Sequence, residues 1–524
     1  MKIFQITLLL FLAAFSNVYT QDFWEKTAGP DTATILSLAI NSNGEIFAGT
    51  NLDGVFRSTD KGNSWTNLGI LNYDITSMVI SSSGDILVNT DPWGGVFRSL
   101  DNGNNWLDTL DFKHFNRSIA INNSNGYIFD GTAALGTWRS TDNGAYWEQI
   151  VNGMTASQVN SLMINSSGDL FAGTYGHGIF RTSNQGTNWI QINEGLTGTQ
   201  ALFVSSLAIN SNGHIFAGTS GSGVFRSTDN GANWVQINQG IAGQGLYVYS
   251  LAINSSGDIF AGTDDGVFLS TDNGGNWLQI NQGLTNKYTR SLAVNSNGDV
   301  YAGTEGGIFR TVPSANIKIF LQGPYLSGSM STMLNTGGYI PLSQPYNMTP
   351  WNYSGTESVD TVPVGIVDWV LLELRSDLTT QVSRRAAFMK NDGSIVDLDG
   401  VSSVRFPTVT PGTYYVVIRH RNHLAVMTAN KVTLSGLPTL YDMRTDQSKT
   451  YGTSAMKDLG GGFFGMITAD TDGSGTVNAS DRSNTWNQRN LSSYLGTDVD
   501  LSGTVNAADR SATWNNRNIS TQVP

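Results

Sequence analysis

Two short stretches hold the residues best placed for chemistry: "DTDGSGTVNASD" at 470–481 and "DVDLSGTVNAAD" at 498–509, 28 residues apart. Each sets side-chain oxygens at loop positions 1, 3, 5, 9 and 12. These are Asp470, Asp472, Ser474, Asn478 and Asp481 in the first copy, then Asp498, Asp500, Ser502, Asn506 and Asp509 in the second. Gly475 and Gly503 stand at position 6, where such a loop turns sharply, and Thr476 and Thr504 follow with a backbone carbonyl to offer. An all-oxygen donor set at this spacing suits a hard cation, Ca²⁺ best of all. Each loop runs into a matching segment, "RSNTWNQRN" or "RSATWNNRN", expected as a short helix.

A second constellation is repeated: "STDKGNSW" at 58–65, "SLDNGNNW" at 99–106, "STDNGAYW" at 140–147, "TSNQGTNW" at 182–189, "STDNGANW" at 227–234 and "STDNGGNW" at 270–277. A hydroxyl, a carboxylate and a tryptophan recur together. Acid–base chemistry needs the carboxylate in every copy, yet Asn184 replaces it in the fourth. Asparagine can still accept hydrogen bonds, so the stretch reads as a turn: side-chain oxygens bond nearby amides, glycine supplies the special φ, and tryptophan packs. Arg57, Arg98, Arg139, Arg181, Arg226 and Arg310 share one repeated position and are expected as blade-edge partners.

The elements that carry these turns also repeat. "SLAI" at 37–40 returns as "SMVI", "SIAI", "SLMI", "SLAI", "SLAI" and "SLAV" at intervals of 40–45 residues. Between copies come an Asn-Gly or Ser-Gly hairpin turn, a strand such as "IFAGT", a strand such as "GVFRS", and a short outer strand. Four short strands per unit of this length form a propeller blade. The seventh unit stops at "GIFRTVPSA", and "FWEKTAG" at 23–29 is expected to complete it, with Trp24 in the place of Trp277. Residues 21–313 therefore read as one seven-bladed β-propeller.

Alternation along the strands puts the hairpin turns and the boxes on one face. The loops between second and third strands, and the blade connections, fall on the other face, which varies from blade to blade. It is expected to carry Trp93 (beside Asp91), Tyr175, His177, Asp264, Asp265 and Glu305 from those loops, and Phe112, His114, Tyr247, Tyr249 and Tyr288 from the connections. Aromatic rings with scattered carboxylates suit sugars. Hydrolysis would need two carboxyl groups about 5–9.5 Å apart, with Asp264, Asp265 and Glu305 as candidates.

After the propeller, 314–445 holds strand-like runs such as "DWVLLELR" and "TYYVVIRH" and reads as a β-sandwich, followed by the calcium-loop module at 465–524. In that sandwich His420 and His423 form an H-x-x-H; strand spacing would turn the rings to opposite faces. The fold class is all-β: propeller, sandwich, small loop module. Residues 1–20, with Lys2 before an apolar run, read as a secretory signal peptide cleaved near Thr20–Gln21, or at Ser16. The chain has 524 residues, a net charge of -12 and no cysteine. The negative charge argues against nucleic acid or an anionic membrane as partner. The missing cysteine removes disulfides and thiolate metal sites and, with secretion, points to a bacterial source. No later segment is long and apolar enough for a membrane anchor.

The repeated box resembles the Asp-box (BNR) motif of sialidases and related propellers. Sialidases gather three arginines around a carboxylate; here only Arg117 and Arg290 lie outside the repeated position, which speaks against that activity. Related propellers include xyloglucan-cleaving enzymes, which use two propellers where this chain has one. The paired loops resemble a type I dockerin, which implies a cohesin-like partner. Serine at position 5 departs from the dockerin pattern and aspartate at position 12 agrees with it. The sandwich region resembles a C-terminal module of secreted bacterial surface proteins. Together these imply a secreted, non-catalytic protein that binds polysaccharide or a cell-surface protein. The competing reading is a glycoside hydrolase or an accessory protein in polysaccharide breakdown.

Overall fold

The computed structural model describes residues 22–30, 33–91, 94–109, 115–407 and 409–524. The expected signal peptide, and Trp93, Phe112 and His114, lie outside the described residues. Contacts divide the chain into two compact units, 22–311 and 312–524.

The first unit contains seven four-stranded antiparallel sheets. In blade 5, Val204–Ile209, Ile215–Thr219, Gly223–Ser227 and Val235–Gln236 lie in sequence order from the axis outward. The other blades repeat this order, except that blade 7 takes its outer strand, Trp24–Lys26, from the other end of the unit, against Gly307–Thr311. The seven-bladed closure expected from "FWEKTAG" is therefore present. The second strands ("IFAGT") are buried on both faces, packed between neighbouring blades.

The boxes are turns that fasten blade to blade. Ser227 Oγ donates to Asp229 Oδ1 at 2.7 Å and accepts the Gly231 amide at 2.9 Å; Asp229 Oδ1 in turn accepts the Asn233 amide at 2.9 Å. Those bonds, led by the one from the Asn233 side chain, hold the Asp229 carboxyl at about 2, so it has no proton to give. In the fourth copy Asn184 Oδ1 takes the same two bonds, from Thr182 Oγ1 and the Asn188 amide. Two successive residues, Asn230 (φ 58°) and Gly231 (φ 88°), are left-handed, which explains Asn-Gly here. Trp234 is 3% exposed, and its indole N–H donates to the Ile192 carbonyl of the preceding blade at 2.9 Å. The repeated arginines also reach across blades. Arg57, Arg139, Arg226 and Arg310 each donate to the carbonyl of the left-handed box residue in the next blade, at 2.7–2.8 Å.

This wiring sets an expected contrast. Asp229→Asn should leave the denaturation midpoint nearly unchanged, since Asn184 already does the same work. Trp234→Ala should cost about 3 kcal/mol or more through the cavity it leaves and the carbonyl it strands. Equal, negligible effects in urea melts would contradict the structural role of the box.

The second unit is built on an eight-stranded mixed sheet with Ile366–Arg375 between Gln381–Lys390 and Gly412–His420. Smaller sheets join the same sandwich-like core: Phe320–Leu321 pairs with Phe463–Met466, and Ser314–Ala315 with Val404–Arg405. Leu501, from the second acidic loop, also enters that core. His420 and His423 are not on opposite faces. They flank a two-residue hairpin turn and pair directly across it, with Nδ1 atoms 3.0 Å apart. Among the described residues no helix is long and apolar enough to cross a membrane.

Candidate functional site

Every inner strand of the propeller carries a β-bulge near its start, seen as a register shift between its first and third residues, or second and fourth in blade 2. A bulge turns one side chain out of the alternating pattern. The bulged residues are Leu36, Thr76, Arg117, Asn160, Ser205, Tyr249 and Arg290, one per blade, and all seven line a single cavity of 490 Å³. Thr34, Asn51, Asp74, Asp91 and Glu305 complete its wall. The serine that follows each bulge is part of the frame: Ser206 Oγ accepts the Leu251 amide of the next blade, and Ser161 and Ser250 do the same for Leu207 and Leu292. A constant framework thus displays seven variable side chains.

The cavity opens away from the boxes. The hairpin turns bond to box residues, as Asn165 Nδ2 does to Asn230 Oδ1 and Asn210 Nδ2 to Asn273 Oδ1, both at 3.1 Å, so turns and boxes share a face. The bulges lie at the other ends of the inner strands.

The charged groups of the cavity are unevenly spread. Asp74 and Asp91 are direct cross-strand partners at the start of blade 2. Burial pushes both carboxyls up; Arg117 opposes this at both, and Asp74 adds to it at Asp91. Asn51 Nδ2 donates to Asp74 Oδ1 at 2.8 Å, whereas Asp91 Oδ1 is buried with no hydrogen-bond partner. Across blades 6 and 7, Tyr249 and Tyr288 stack with ring centroids 5.1 Å apart, and the Arg290 guanidinium lies 4.7 Å over the Tyr288 ring. Burial, then bonds with Tyr288 and Asp264, push the Tyr249 phenol up. Arg290 also meets Glu305 at 3.3 Å.

Behind the strands bearing Asp91 and Arg117 lies an unusual buried polar cluster. Elsewhere a glycine of the second strand faces a β-branched residue of the next blade; a Cβ on Gly173 would stand 2.6 Å from Val204 Cγ1. Blades 2 and 3 have Asn89 and Asn116 at these two positions, together with Asp130, all fully buried. Asn89 Nδ2 donates to Asp130 Oδ1 at 2.6 Å, and burial raises Asp130 to about 7.

Of the residues singled out in the sequence, Asp91, Arg117, Tyr249, Arg290 and Glu305 line the cavity, and Tyr288 and Asp264 support Tyr249. Asp265 is held at the periphery by Lys287 and Gln279. Tyr175 is exposed and packs edge-on against Phe203, with the His177 ring near its carbonyl; neither lines the cavity. The decisive lining groups, Asp74, Arg117 and Arg290, share a signal: each sits within three residues of the serine that opens an "SLAI" copy.

The two acidic loops are built alike. Asp470, Asp472 and Asp481 bring carboxylate oxygens within 4.8 Å of one another, as do Asp498, Asp500 and Asp509, so each trio could hold a metal ion. Asp470 and Asp498 accept the Gly475 and Gly503 amides at 3.0 and 2.8 Å. Asp481 and Asp509 each close a capping box with Asn478 or Asn506 at the start of helices Ala479–Asn487 and Ala507–Asn515. Ser474 and Ser502 turn their hydroxyls toward the Thr476 and Thr504 carbonyls. Burial, reinforced by neighbouring carboxylates, raises Asp470 and Asp498 to about 7. A trio whose members resist joint ionisation is a donor set that a cation would relieve.

No family model and no curated protein matches the chain. Among solved structures it is similar to YCF48 bound to D1 peptide, at 18% identity over 55% of this chain and 97% of that one, with a TM-score of 0.45. It is similar to the extracellular domain of BT4673 from B. thetaiotaomicron, at 16% identity over 78% of this chain and 59% of that one, TM-score 0.47. It is also similar to the GH74 xyloglucanase from Xanthomonas campestris, at 15% identity over 78% and 74%, TM-score 0.46.

Proposed function

We propose that the protein is a secreted binding protein that takes a polyhydroxylated ligand, a polysaccharide end or branch, in the propeller cavity. The observation that supports this is the ring of seven bulged side chains, of six residue types with arginine twice, on a frame that otherwise repeats. Ligand selection requires such local variety, and packing does not. Arg117 and Arg290 offer donors, Asp74, Asp91 and Glu305 offer acceptors, and Tyr249 offers a ring edge, a set matched to sugar hydroxyls. Oxygen ligands from the two acidic loops would hold Ca²⁺: the three carboxylates of each trio, with Ser474, Asn478 and the Thr476 carbonyl in the first loop and Ser502, Asn506 and the Thr504 carbonyl in the second. The ion would supply positive charge that lets buried carboxylates ionise together. The matched helices after these loops are consistent with a dockerin-like module and a cohesin-like partner.

A second reading rests on Asp74 and Asp91. Two carboxyls opposed across a strand pair, both pushed up by burial, can divide into one acid and one base, the arrangement a glycoside hydrolase uses. A glycan array run beside a reducing-sugar assay on the full chain separates the readings. Binding without sugar release is the expected result. Arg117→Gln and Asp91→Asn should each weaken binding about tenfold or more with the melting temperature unchanged. Undiminished binding in both variants would remove the cavity from the account, and sugar release lost in Asp91→Asn would favour the hydrolase.

A further inference from the structure

The two helices after the acidic loops pack together at Thr485 and Thr513, whose hydroxyls are 3.3 Å apart. Beside this contact Trp486 and Trp514 remain 57% and 52% exposed, large values for tryptophan. Each indole is flanked by two guanidinium groups. Arg489 lies 4.8 Å and Arg510 5.7 Å from the Trp486 centroid; Arg517 lies 4.5 Å and Arg482 5.2 Å from that of Trp514. One arginine of each pair lies two residues past the end of the same helix and the other comes from the partner helix, so the duplicated sequence builds a duplicated surface. Among the described residues none of these four arginines forms an ion pair, although the chain carries a net charge of -12.

We propose that this face binds an acidic polysaccharide, one sugar residue against each indole and its carboxylate or sulfate groups against the stacked guanidinium ions. Arg489 and Arg517 are each anchored by one bond from Nη1 to the carbonyl of the tryptophan they lie over, at 2.8 Å, which leaves further N–H groups for an anion, a partner arginine binds in bidentate fashion. The two half-sites are copies, as recognition of a polymer of identical units requires. The same two helices also expose the small or polar Ser483, Asn487, Ser511 and Asn515.

The test is affinity electrophoresis of the full chain, with Ca²⁺ present, through gels containing polygalacturonate, dextran sulfate, neutral dextran or poly-glutamate. Retardation by either acidic polysaccharide, and none by neutral dextran, is expected; which of the two retards more identifies the acid group. Trp486→Ala with Trp514→Ala, and separately Arg482→Gln with Arg510→Gln, should weaken binding about tenfold or more, with melting temperatures unchanged. Equal retardation of parent and both double variants would overturn the proposal. So would retardation by poly-glutamate alone, which would assign the face to an acidic protein.

Discussion

Trp24→Ala is expected to destabilise the propeller by about 3–5 kcal/mol, and deletion of 23–29 to abolish its cooperative unfolding. Trp24 is 1% exposed, and its indole N–H donates to the Ile280 carbonyl at 2.5 Å, the bond that Trp277 makes to Ile237 one blade earlier. The strand it belongs to aligns Trp24, Glu25 and Lys26 with Thr311, Arg310 and Phe309. Glu25 meets the nearly buried Arg310 at 2.7 Å, and Arg310 also donates to the Lys61 carbonyl of blade 1. One short segment thus joins blade 7 to blade 1. Without it, Gly307–Thr311 becomes an open edge, a Glu25-paired arginine loses its carboxylate, and the ring can no longer close. Differential scanning calorimetry with size-exclusion chromatography reads both effects. A deletion variant that stays monomeric with an unchanged transition would refute the shared blade.

The second large effect concerns calcium. Ca²⁺ is expected to raise the unfolding transition of residues 312–524 and leave that of 22–311 in place. At a hundredfold excess over Kd each occupied site adds about 2.7 kcal/mol, or roughly 5–10 °C for a unit of this size. The whole unit should respond because the loops are not peripheral to it. Val477, Val499, Ile467 and Ala469 share a core with Leu424 of the sandwich, and Asn422 Nδ2 donates to the Asp498 carbonyl at 2.8 Å. Arg421, whose Nε donates to the buried Asp368 at 2.7 Å, also grips the Leu495 carbonyl. Asp470→Ala with Asp498→Ala should abolish the shift, as should a chelator. Calorimetry showing no calcium-dependent movement of either transition would mean that the loops are turns only.

The sequence by itself determined the propeller, its seven blades and its closure. The reason is that blades are local units: a hydrophobic strand pattern, an Asn-Gly turn and a box recur within 40–45 residues, and each copy confirms the others. Asn184 in one box was enough to remove the boxes from chemistry, and their bonding bears this out. The donor spacing of the acidic loops was equally legible, because all their ligands lie in one short segment. Tertiary structure decided which side chains meet in the cavity. Alternation assigns a face to every strand residue, but a bulge breaks alternation by one position, so Thr76 and Asn160 turn inward where strict alternation would place them otherwise. It also decided the fate of His420 and His423. A tight turn at Arg421–Asn422 sets them against each other edge to face, where burial and, for His423, the neighbouring charges press both imidazoles toward the neutral form. Cavity and histidine pair alike depend on register between strands, and register is fixed by the packing of neighbours distant in the chain rather than by the residues themselves.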